Sequence, residues 1–236
     1  MAMAMAMVAT TANLSIPWKN CSKVDTNTTP TFFTERTNFL NMSNRARIGM
    51  RLLLDGAIVT GRHIDAHIPG EHVLDGRKTN KPAIVDMGAG FHKLREFVPP
   101  QFTYVAVDSM VRVSGETLIC DFNRLEFPLL SEVAAFAFLG SFEYLIDKLS
   151  IVRLCRMFNA AIILQYNAGM HRVSETFHWV APLDVATLYE VAKLTNYHLR
   201  VFEPILNGRK VIELKRALAI TRETCPGCYF LFRPTK

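Results

Sequence analysis

The stretch Ala83-Ile84-Val85-Asp86-Met87-Gly88-Ala89-Gly90-Phe91 joins an apolar run to an acid, then to two glycines one residue apart. Glycine has no Cβ, so Gly88 and Gly90 allow a sharp turn after a strand and let a ligand lie against bare backbone. A nucleotide-type pocket is built this way, although the same residues also suit a structural turn with a capping acid. In a dinucleotide fingerprint a third small residue stands three places after Gly90. That place holds Lys93, which counts against an NAD-dependent oxidoreductase. A second acid, Asp108, ends the run Phe102-Thr103-Tyr104-Val105-Ala106-Val107. A carboxylate there accepts hydrogen bonds from both hydroxyls of a ribose, or caps a following helix.

Further along, Cys120-Asp121-Phe122-Asn123 places another acceptor beside an aromatic ring. Asp121 suits the exocyclic amine of adenine and Phe122 suits the face of the base, while an Asx turn is the structural alternative. Gly140-Ser141-Phe142-Glu143-Tyr144-Leu145 follows a fourth apolar run. Glu143 and Tyr144 are acid–base candidates there, and Glu143 also reads as a helix N-terminal acid favoured by the dipole. His171 and His178 titrate near neutral pH and suit proton removal from a hydroxyl acceptor, or else sit on the surface. No metal is assigned. His63, His67, Glu71 and His72 are interrupted by Pro69-Gly70, and Cys225-Pro-Gly-Cys228 has no second C-x-x-C to complete a zinc set.

These residues need a scaffold that aligns their strands. Short apolar runs at 82–85, 102–107, 117–120, 133–139 and 160–165 read as buried strands. Amphipathic stretches at 92–97, 141–158 and 182–195 lie between most of them. That rhythm predicts a doubly wound, mostly parallel sheet covered on both faces. Two further strands, 198–204 and 209–215, flank Asn207-Gly208, a hairpin signal, and should pair antiparallel. Residues 34–54 carry apolar positions at helical spacing with Arg45, Arg47 and Arg51 among the outward ones, although Gly49 interrupts the pattern. The expected organisation is a disordered or loosely docked tail over 1–30, N-terminal helices and a connector over 31–80, and the main domain over 81–236. Tyr229, Phe230 and Phe232 are expected to dock the C-terminus onto that domain.

Between about 80 and 217 the order of these features resembles the class I S-adenosylmethionine-dependent methyltransferases. The shared features are the Asp86-x-Gly88-x-Gly90 loop, Asp108 ending the second strand, the Cys120–Asn123 turn, the Gly140–Leu145 segment and the closing hairpin. The resemblance implies a Rossmann-like seven-stranded sheet with an antiparallel C-terminal hairpin, and S-adenosyl-L-methionine as cofactor. It implies that Gly88 and Gly90 pass close to the cofactor's methionine and ribose, that Asp108 binds the ribose, and that Asp121 with Phe122 contacts the adenine. Asp86, Phe91 and Gly140 join the same cofactor set. The Gly140–Leu145 segment looks like one that reads L-E-H in some small-molecule methyltransferases. Tyr144 stands in the place of that histidine, so metal binding is not carried over.

Composition narrows the partners. The chain has 236 residues, half of them apolar, which excludes disorder throughout. Its longest apolar runs, 1–9 and 133–139, fall well short of the roughly 18 residues of a membrane span. The net charge is +6, and the first 50 residues contribute half of it with five basic and two acidic side chains. So thin a surplus favours a small-molecule substrate over nucleic acid. Five scattered cysteines suggest no disulfide framework and a reducing, cytoplasmic setting, with the Ser/Thr-rich start also suiting organellar targeting. A methyl-transferring enzyme is the leading expectation, and a binding or scaffold module of the same fold without turnover is the competitor. Oligomeric state is not legible.

Overall fold

The computed structural model describes residues 19–21, 39–55, 81–110, 113, 117–128, 130, 132–166, 180, 183–203, 211–219, 225 and 227–235. At its centre is β2 (Ala83–Met87), buried at every position because both of its faces are covered. It lies parallel between β3 (Thr103–Asp108) and β6 (Val133–Leu139). Outside them run β4 (Thr117–Ile119) on one side and β7 (Ala161–Tyr166) on the other, both parallel to their neighbours. The chain therefore winds outward from β2 to β4, then returns to build the other half from β6. The reversal between β2 and β6 is a topological switch point, where α/β sheets open a crevice at the strands' carboxyl ends.

The other half closes antiparallel. β8 (Tyr197–Phe202) pairs with the two-residue β9 (Val211–Ile212), as the hairpin reading expects. The Asn207-Gly208 turn itself falls outside the described residues. β10 (Cys228–Pro234) inserts between β7 and β8, antiparallel to both, so the full order is β4-β3-β2-β6-β7-β10-β8-β9. Seven of these strands form the expected sheet, and β9 is a short addition at its edge. Tyr229, Phe230 and Phe232 thus belong to a central strand, with the latter two fully buried, where the sequence suggested a docking tail. An aromatic-rich run packs equally well as either, and only the pairing partners distinguish them.

Two layers cover the sheet. On one face α1 (Phe39–Leu53) lies over Ala135, Ala137, Ala161 and Ile163, whose small or slender side chains admit the helix closely. Gly49 is part of that fit, since a Cβ there would come within 2.9 Å of Leu139 Cδ2. The residue that weakened the helix pattern in sequence lies against the Leu139 side chain in space. The opposite face packs α2 (Lys148–Met157) and α3 (Val185–Leu194) in one core with Phe136, Phe138, Leu164 and Phe230. Asp147 and Asp184 cap these helices through the amides of Ser150 (2.9 Å) and Thr187 (2.7 Å). The single helix expected over 141–158 is accordingly split, with a 3₁₀ turn at Phe142–Tyr144 before the Asp147 cap. The stretch 92–97 is 3₁₀ as well, entered through His92 at φ 57°.

The cysteine reading is corrected. Cys21 is disulfide-bonded to Cys120 across 99 residues, Cys225 is bonded to Cys228, and Cys155 is free and buried. Scatter along the chain hides the first pair because β1 (Lys19–Asn20) runs beside β5 (Glu126–Phe127), which brings Cys21 to the end of β4. No helix among the described residues is long and apolar enough to cross a membrane. Two measurements check this architecture. Non-reducing peptide mapping is expected to recover the Cys21–Cys120 and Cys225–Cys228 linkages. Phe230→Ala is expected to cost about 3–5 kcal/mol in urea unfolding, as for truncation in a closed core, whereas a docking tail would lose under about 1 kcal/mol.

Candidate active site

The strand tips are held to one another by hydrogen bonds between loops. After β2, the amides of Gly88 and Ala89 donate to the carbonyl of Val107 in β3 at 2.7 and 3.0 Å. The Gly90 amide donates to Asp108 Oδ2 at 2.9 Å, and the Met110 amide to Asp108 Oδ1 at 3.3 Å. On the other side of the switch point, Ser141 Oγ donates to the Met87 carbonyl. The backbone of Gly88, at φ +80°, is left-handed, and a Cβ on it would collide with Ser141 Cβ. Glycine is therefore required twice at this position, by conformation and by the neighbouring loop. Ser141 packs on the side of Gly88 where a Cβ would stand.

A second junction joins the turn after β4 to the turn after β6. Asn123 Nδ2 donates to the Tyr144 carbonyl at 3.1 Å, and Asn123 Oδ1 accepts from the Ile146 amide at 2.8 Å. Asp121 Oδ1 accepts from the Asn123 amide at 3.0 Å, and Oδ2 lies 3.3 Å from Arg124 Nε. The Asp121 side chain is nevertheless 43% exposed, so its carboxylate remains open to solvent on one side.

Electrostatics single out Asp86. Its carboxyl group is buried and accepts a hydrogen bond from Tyr104 OH at 2.9 Å. Burial pushes its pKa up to about 7; the Tyr104 hydrogen bond opposes that rise and the nearby Asp108 charge adds to it. Behind it, His92 Nε2 is 2.9 Å from Thr117 Oγ1, and the His92 ring lies 5.9 Å from that of Tyr104. Lys148 is the other displaced group. Burial lowers it to about 8, against the raising influence of Glu143, and its Nζ donates to the carbonyls of Leu145 and Val180.

No family model and no curated protein matches the sequence. Solved structures do match. One is the 1,6-didemethyltoxoflavin-N1-methyltransferase of Burkholderia thailandensis, determined with 1,6-didemethyltoxoflavin and S-adenosylhomocysteine. Its TM-score is 0.51 at 10% identity, over 84% of this chain and 82% of that one. A chain from the complex of the Haloferax volcanii Trm112 methyltransferase activator with a methyltransferase gives a TM-score of 0.51 at 14% identity, over 84% and 96%. This chain has the methyltransferase fold. It spans about half (51%) of a phosphoethanolamine N-methyltransferase of Haemonchus contortus, which covers 68% of this chain at 13% identity and a TM-score of 0.46.

Within the methyltransferase fold, the residues singled out by sequence fall into three groups. Asp86, Gly88, Gly90, Asp108 and Gly140 gather at the carboxyl ends of β2, β3 and β6, with half-buried Phe91 next in chain after Gly90. Asp121 and Tyr144 belong to the Asn123 junction, where Tyr144 is 44% exposed. Phe122 and Phe142 belong to the core, and Glu143 is buried beside Lys148. His171, His178 and the His63–His72 cluster fall outside the described residues. Sequence reasoning passed over Tyr104, His92, Thr117 and Lys148. Tyr104 could have been found: two residues before Ala106, which pairs with Asp86, it shares that acid's face of the sheet.

The raised Asp86 has a pH consequence with a definite sign. A carboxyl whose folded pKa lies above its ordinary 3.8 favours the protonated fold, so its contribution is complete below about pH 4 and is lost as pH rises through about 7. Asp86→Asn, which keeps an acceptor for Tyr104, is expected to gain stability relative to the parent at pH 8 by more than about 1 kcal/mol over the difference at pH 5. Urea unfolding at the two pH values measures it, and equal differences would refute the assignment.

Proposed function

We propose that this protein is an S-adenosylmethionine-dependent methyltransferase acting on a small or medium acceptor. In this reading, residues 81–236 form the catalytic domain, 31–80 the N-terminal helix and connector, and 1–30 a tail. The observation that carries it is the set of loops linked at the switch point, with Asp108 at their centre. Asp108 accepts from two backbone amides and, at 3.5 Å, from Ser109 Oγ, yet an ionised carboxylate offers about four lone-pair positions, so capacity remains for a ribose hydroxyl. Asp121, held by its own turn and open on one side, is the acceptor for the adenine amine, with Phe122 as the wall behind it. Gly90, Phe91 and Gly140 line the same edge. The residues fit the cofactor's chemistry: carboxylates and aromatic rings suit a sulfonium and a nucleoside, and no phosphate cradle is required.

The bound cofactor supplies an activated methyl group for in-line displacement. The protein's part is then alignment and exclusion of water, which accounts for rate without a strongly basic side chain. The loop bonds serve alignment, because they leave the strand tips little freedom to separate. Where the acceptor is a hydroxyl, proton removal falls to the candidates Glu143, Tyr144, His171 and His178.

Calorimetry with S-adenosylhomocysteine tests the reading. Binding is expected, and Asp108→Asn is expected to weaken it at least about tenfold, the usual consequence of losing charged hydrogen bonds. Absence of heat at high concentration would overturn the proposal. Binding without turnover would instead identify a scaffold module. Turnover is read by incubation with labelled S-adenosylmethionine and a metabolite extract, then mass spectrometry for a gain of about 14 Da, one CH₂ group.

A further inference from the structure

Gly140 follows β6 at φ +92°, and the space where its Cβ would stand is a notch. Its chain neighbours aside, the side-chain atoms of the described residues within 4 Å of that point are Arg45 Nη1 at 3.3 Å, from α1, and Gln165 Oε1 at 3.5 Å, from β7. Both are polar, and Gln165 Oε1 is left without a partner among the described residues. Gln165 is 3% exposed. Such a buried acceptor is destabilising unless something supplies a proton donor. Arg45 is half-buried, and no carboxylate among the described residues pairs with it, whereas Arg51, Arg124 and Arg216 each have one. Its backbone is fixed, since Tyr229 OH, on a side chain 1% exposed, donates to the Arg45 carbonyl at 3.2 Å. The notch thus presents one cation and one acceptor, side by side, at the carboxyl edge of the sheet.

We propose that Arg45 and Gln165 select the methyl acceptor, recognising a carboxylate flanked by an N–H or O–H donor. This rests on the methyltransferase reading above. The guanidinium takes the carboxylate, for which its forked donors are suited, and Gln165 Oε1 takes the neighbouring donor. Gly140, whose φ of +92° favours glycine on its own, leaves clear the place where a Cβ would crowd both groups. A neutral acceptor leaves the guanidinium without a counter-charge, and an acid lacking the flanking donor leaves Gln165 unpaired. Both are therefore discriminated against.

The test uses the full chain saturated with S-adenosylhomocysteine and three probes of one shape: 2-hydroxybenzoate, its neutral amide 2-hydroxybenzamide, and benzoate. The acid is expected to bind at least about tenfold tighter than the amide, and Arg45→Gln to erase that difference. Gln165→Leu is expected to erase the preference for 2-hydroxybenzoate over benzoate while leaving the acid–amide difference in place. An amide that binds the parent protein as well as the acid does, or no measurable binding by either acid, overturns the proposal. So does Arg45→Gln weakening S-adenosylhomocysteine but not 5′-methylthioadenosine, because the notch would then hold the cofactor's own amino-acid end. The cofactor titration alone separates the two readings. No heat with S-adenosylhomocysteine refutes both, while normal cofactor binding without an acid preference refutes only this one.

Discussion

The acid at the end of β3 holds the molecule's most informative position because its carboxylate accepts the Gly90 amide of the neighbouring loop. That bond and the Ser141 contact to Met87 draw three strand tips, β2, β3 and β6, toward one point. Tips of a twisted parallel sheet otherwise diverge, since adjacent strands are rotated relative to one another. The loops counter that divergence with their own polar groups. One consequence is that the glycines differ in role: Gly88 accommodates Ser141, whereas Gly140 leaves a notch bounded by Arg45 and Gln165.

Burial creates the chemistry at this edge. Asp86 is acidic in water and near-neutral in its pKa here, because a buried carboxyl loses more solvation than one tyrosine hydroxyl returns. Lys148 moves the opposite way for the same reason, and its ammonium is held by backbone carbonyls of two separate segments. Charge placement and chain geometry therefore constrain one another in this region.

The N-terminal helix is more than a cover. α1 reaches the sheet through small residues beneath it and through Gly49, and the same close approach carries Arg45 to the tip of β6. Packing of an apolar stripe and delivery of a cation are thus a single geometric event. The Cys21–Cys120 linkage ties a second N-terminal segment to the turn that holds Asp121. Residues far apart in the chain converge on the loops between 88 and 146.

The alternation of apolar runs with amphipathic stretches was enough to establish the doubly wound sheet, strands at the runs 82–85, 102–107 and 133–139, and the acids and glycines that follow them. Those properties are local: a buried strand must be apolar and a tight turn needs glycine, whatever surrounds them. Sequence alone could not determine that β10 enters the sheet, that Cys21 meets Cys120, that Ser141 occupies the face of Gly88, or that Arg45 and Gln165 share a notch. Each of these depends on which distant segments become neighbours, a choice made by the packing of the whole core and carried by no single stretch of the chain.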